Sequence, residues 1–165
     1  MRKNILFLIQ SLDVGGAETL TLKIINECKK NYNVYVIVLS SNIELVDKLD
    51  LDKENIFILN SKFKTLSFGI KDLSKLIVIS KTIKNIIREK NIEIVFANLP
   101  ISHFIMRLTK IISPLMQYKL INVHHSLQFT ANPVKSLKNR LFLLIDNLFS
   151  IFVDKLNVFV TKSVE

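Results

Sequence analysis

The sequence is poor in residues that bend, break or crosslink a chain. Three glycines and three prolines in 165 residues leave no flexible linker and no low-complexity stretch. The only cysteine, Cys28, falls within a helical pattern. One thiol excludes an internal disulfide and a cysteine metal cluster, and it fits a reducing compartment. Tryptophan is absent, and no basic run interleaves with aromatic residues, so there is no stacking platform for nucleic acid. A long hydrophobic run is missing too. Ile5-Leu6-Phe7-Leu8-Ile9 follows the basic start Met1-Arg2-Lys3-Asn4 as a secretory leader would, but Gln10, Ser11 and Asp13 close it after five residues. It reads as a buried first strand.

What is present is apolar and basic. Hydrophobic residues make up 49% of the chain, enough for one domain that buries roughly 70% of its unfolded surface. Lysine and arginine number 23 against 14 acidic residues, a net charge of +9. The lysines recur on polar helix faces. Two readings stay open: a solvated surface, or contact with an anionic membrane face.

Short β-branched runs alternate with longer helical patterns. Residues 5–10, 34–39, 56–59, 94–97, 120–123 and 158–160 read as strands, continuous enough to be buried on both faces. Between them, Leu20, Ile24 and Cys28 mark a helix over 17–30, with Thr21 and Ile25 beside them. A short helix is expected over 44–49, and a long one to about Lys90 after Asp72 as cap, facing inward through Leu73, Leu76, Ile77, Ile83, Ile86 and Ile87. Ser102 to Ile112 forms another, ended by Pro114. The apolar stretch 137–156 carries Asp146, Asn147 and Asp154, too polar for a spanning helix; it either packs on the sheet or lies at a membrane interface. This alternation specifies an α/β fold, a Rossmann-like parallel sheet with helices on both faces. Ligands then bind beyond the carboxyl ends of the strands.

Two of the three glycines, Gly15 and Gly16, stand together between the first strand and the first helix. Glycine permits positive φ and close backbone approach, and the helix opening at Ala17 points free N–H groups into the gap. The pattern is neither G-x-G-x-x-G nor G-x-x-x-x-G-K-[ST]. A plain βα turn and an anion-binding turn both fit it.

The stretch Ile5 to Glu18, ending Gly15-Gly16-Ala17-Glu18, resembles the opening of family-four retaining glycosyltransferases of the GT-B fold. Ile94 to Leu99, Lys119 to Ser126 and Asn157 to Ser163 are similar, in order, to later strands of that family. The resemblance implies the N-terminal half of a GT-B fold: a single acceptor-side domain over 1–165, with the C-terminal donor domain absent. It implies a hexosyltransferase parent moving a sugar from a nucleotide-sugar donor to a glycan or lipid-linked acceptor with retention, in bacterial cell-surface polysaccharide synthesis. This piece alone is expected to be inactive. Gly15 and Gly16 would lie under the donor diphosphate, and His125, at the end of the fifth strand, would line the catalytic cleft. Glu18, Asn98, His103 and His124 are the further acceptor or cleft candidates. His124 and His125 point to opposite sides of the strand end.

No metal is expected, because three histidines lack a carboxylate at ligand spacing, and no cofactor beyond the nucleotide-sugar substrate. The expected location is the cytoplasm, with peripheral contact to the inner membrane face through basic helices carrying Arg107, Lys110, Lys135, Lys138 and Arg140. The competing readings are a non-catalytic α/β binding or regulatory module, or the N-domain of another GT-B enzyme.

Overall fold

The computed structural model describes residues 2–59, 70–124, 144–145, 147–151, 153 and 156–159. Six strands are present: β1 (Asn4–Ile9), β2 (Asn33–Val38), β3 (Ile56–Ile58), β4 (Ile94–Asn98), β5 (Lys119–His124) and β6 (Leu156–Phe159). All pair in parallel, in the order β3-β2-β1-β4-β5-β6. The central strands β1 and β2 are runs of Val, Ile, Leu and Phe because both of their faces are covered. Parallel neighbours need crossovers, which α1 (Gly16–Cys28), α2 (Ile70–Glu89), α3 (Pro100–Ile112) and a fourth helical stretch within 144–153, α4, supply.

Alternation along the strands divides the core between two faces. Ile5, Phe7 and Ile9 of β1 pack with Val36 and Val38 of β2 against Leu22 and Ile25 of α1. Leu6 and Leu8 point the other way, joining Val95, Ala97 and Leu120 under α2 and α3, with Ile145, Phe149 and Val153 of α4 packed alongside. Among the described side chains of α2 the buried set is Leu76, Ile79, Ser80, Ile83, Ile86 and Ile87, a stripe at helical spacing; Ile77 is only partly buried, and the Leu73 side chain lies outside those described.

Two expectations are corrected here. The inner face of α1 is centred on Thr21, Leu22 and Ile25, while Leu20, Ile24 and Cys28 are only partly covered. Thr21 and Ile25 are buried as expected, while Leu22 joins them and shifts the face so that Thr21 reaches Asn98 of β4. Helix α3 is not a basic surface helix: every residue from Ile101 to Thr109 is buried, Arg107 included. It is wedged against α2 and α4, where Phe104 stacks on Phe149 with ring centroids 5.9 Å apart. Lys110 donates to the main-chain oxygen of Met116 and lies over the Tyr118 ring, 4.4 Å from its centroid. Lys135, Lys138 and Arg140 lie outside the described residues, as do the loop near Pro133 and the start of the 137–156 pattern. No helix among the described residues is long and apolar enough to cross a membrane.

Candidate functional site

The strand order decides where a site can form. β1 and β4 are neighbours, yet the chain leaves β1 for β2 across one face and β4 for β5 across the other. The diverging connections open a crevice at the carboxyl ends of these two strands, the position at which open α/β sheets take ligands. Within the sheet, Phe7 and Phe96 stack across this boundary at 4.8 Å.

On one wall, the loop after β1 is pinned to the segment after β2. Ser40 N–H donates to Gln10 O at 2.9 Å, Leu12 N–H to Asn42 O at 2.9 Å and Leu45 N–H to Leu12 O at 2.8 Å. The Asn42 amide also donates to the Asp13 carboxylate at 3.2 Å. Leu12 is fully buried and anchors the loop, whereas Val14 stands 76% exposed at its tip.

Gly15 is the N-cap of α1, extended at φ −150° and ψ 162°, with no side-chain cap. The first helical bond runs from Thr19 N–H to Gly15 O at 2.9 Å. The N–H groups of Gly16, Ala17 and Glu18 precede it and project from the helix end. Neither Gly15 nor Gly16 has a positive φ, so the pair does not serve a left-handed turn, as its residue type had suggested. What it provides is space. A β-carbon on Gly15 would run into the Glu18 carboxylate, and one on Gly16 would meet nothing within 4 Å. The helix end is therefore open over Gly16 and carries a negative charge over Gly15, the sign the helix dipole favours there.

On the facing wall, Asn98 ends β4 and is buried. Thr21 reaches it from α1: its hydroxyl donates to Ala17 O at 2.8 Å and lies 3.5 Å from the Asn98 side-chain oxygen. Leu99 follows with φ 72° and ψ 153°, a left-handed conformation that costs a non-glycine residue about 1–3 kcal/mol. Between the walls a cavity of about 10 Å³ is lined by Ile9, Ser11, Ala17, Glu18, Thr21, Asn98 and Leu99, room for roughly one water. A nucleotide-sized ligand would have to lie on the open side, above Gly16.

The histidines separate by location. His103 is in the first turn of α3 and 3% exposed; its Nε2 contacts Ala97 O at 3.0 Å and Val123 O at 3.1 Å. Its imidazole pKa is lowered to about 3, by burial first and then by His124 and Arg107, against the pull of the two carbonyls. It is neutral at physiological pH and closed to an acceptor. His124 ends β5, half-buried, with its ring 4.5 Å from that of His103. His125 lies outside the described residues. Among the described residues no three His, Cys, Asp or Glu side chains converge on a metal-sized point. Gly15, Gly16, Glu18 and Asn98 are thus brought to one crevice, His103 and His124 to its far side beside β5. Sequence reading missed Thr21, Ser11 and Leu99. Only Leu99 carried a local signal, as the residue before a proline that opens a helix.

The fold is that of a doubly wound, Rossmann-like parallel α/β domain. No protein-family model matches the chain, and no curated protein matches it in sequence. Solved structures do match. Sucrose-phosphate synthase from Thermosynechococcus elongatus superposes with a TM-score of 0.59 at 12% identity, over 96% of this chain and 47% of that one. MurG from Acinetobacter baumannii gives 0.57 at 12%, over 99% and 42%. A glycosyltransferase from Rickettsia africae gives 0.51 at 18%, over 99% and 44%. The chain thus has the fold of one part of these proteins and spans less than half the length of each.

Proposed function

We propose that the chain forms the acceptor-side half of a glycosyltransferase, binding the diphosphate of a nucleotide-sugar donor against the start of α1. The observation that carries this reading is the uncapped helix end at Gly15-Gly16, open to solvent and set at the crevice between β1 and β4. Free N–H groups and a positive dipole end suit a dianionic phosphate bridge, and the opening over Gly16 admits it without moving the backbone. In transfer, the same N–H groups would stabilise the departing diphosphate as negative charge builds on it. The GT-B resemblance supports retention at the anomeric carbon and a glycan or lipid-linked acceptor in polysaccharide synthesis, with His125 or His124 lining the acceptor side. It also supports a second domain supplying cations to the donor diphosphate. On that reading the 165-residue chain binds donor weakly and transfers no sugar.

Titrating the ¹⁵N-labelled chain with UDP, and separately with NAD, tests the reading. Chemical-shift changes confined to Gly15–Glu18, Ser11 and Asn98 on adding UDP support it. A response to NAD alone would favour a dinucleotide-binding module, and silence with both would remove the assignment. Membrane contact is a separate part of the proposal and rests on the net charge of +9. Failure to float with anionic vesicles at low salt would remove it.

A further inference from the structure

His103 ties together the three elements that meet at the far side of the crevice. Its Nε2 lies within hydrogen-bond distance of Ala97 O on β4 and Val123 O on β5, at 3.0 and 3.1 Å. Both partners are carbonyls and can only accept, so Nε2 carries the proton and shares it between them. The main-chain N–H of the same residue donates to Leu99 O at 3.2 Å. That main-chain bond opens α3, and the imidazole adds a hold on Ala97, two residues before Leu99, whose φ of 72° and ψ of 153° persist only where the surroundings over-determine them. Its ring also meets that of His124, tilted by 57° at 4.5 Å.

We infer that His103 is a positioning residue: as a neutral Nε2–H imidazole it clamps the carboxyl ends of β4 and β5, holds Leu99 in its left-handed conformation and sets the ring of His124. The groups acting electrostatically on it are His124 on β5 and Arg107 one turn along α3, and both oppose a positive ring. Buried and uncharged, it does not exchange protons with a substrate; its contribution is geometric. The consequence for ligand binding rests on the reading of the crevice as a donor site. The clamp itself does not.

The two parts separate experimentally. Long-range ¹H–¹⁵N spectra of the imidazoles in the wild-type chain, from pH 5 to 8, should show His103 as the Nε2–H tautomer without titration. His103→Leu should shift the Asn98, Leu99 and Val123 amides and the His124 ring, and weaken UDP binding about tenfold. His103→Gln, which restores one N–H donor, should recover part of both. Leu99→Gly should raise the melting temperature of the wild type and recover stability lost in His103→Leu. If His103→Leu does not fold, the wild-type tautomer and the His103→Gln spectra decide. Titration of His103 near pH 6.5, an Nδ1–H tautomer, or variant spectra that overlay the wild type would overturn the clamp. A wild-type chain that shows the expected tautomer but ignores UDP would instead overturn the donor-site reading.

Discussion

The carboxylate of Glu18 occupies the space that a β-carbon on Gly15 would take. A negative side chain thus sits at the helix end where an anionic ligand is proposed, stabilising that end when the crevice is empty and competing with phosphate when it is not. Glu18→Gln should therefore bind UDP more tightly, by about two- to fivefold, while losing about 0.3–1 kcal/mol of stability. Isothermal titration and thermal melting on one sample check both signs. Unchanged affinity would show that the carboxylate is not in the ligand's way.

Gly16 separates fold from function. A β-carbon there meets nothing within 4 Å, so Gly16→Ala should keep the fold and gain up to about 1 kcal/mol from the smaller entropy of the unfolded chain. Gly16→Trp should melt near the wild type but lose UDP binding, because the ring fills the open helix end. Retained binding would place the ligand elsewhere.

Acid should weaken the fold through His103. Its native pKa of about 3 lies below the ordinary 6.5, so the unfolded chain binds more protons at intermediate pH. Stability is then full above about pH 6.5 and falls as pH drops toward 3, by up to about 1.4 kcal/mol per pH unit. Denaturant melts at pH 5.0 and 7.0 should show the loss, and His103→Gln should flatten it.

Phe7 is 2% exposed and stacks on Phe96 between the strands that frame the crevice. Phe7→Ala should cost about 3–5 kcal/mol in urea unfolding. A cost under about 1 kcal/mol would mean that the neighbouring strands collapse into the gap.

Much of the fold was legible in the chain because its information is local. A β-branched run such as Val34 to Val38 is too short and too stiff for a helix, and alternation with helical patterns demands parallel crossovers. The six strands, the helices α1, α2 and α3 between them and the position of Gly15-Gly16 at the first crossover followed from that alone; the helix expected over 137–156 is described only within 144–153, and α2 begins at Ile70, before the expected cap Asp72. The shift of α1's inner face onto Leu22, the burial of Arg107 and the grip of His103 on Ala97 and Val123 did not follow. Each depends on a partner distant in sequence, and periodicity says only that a face is apolar, not what meets it. The same holds for the glycine pair. Composition called for small residues at that turn, but only the packed structure decided that they provide room, filled by the Glu18 carboxylate at Gly15 and open at Gly16.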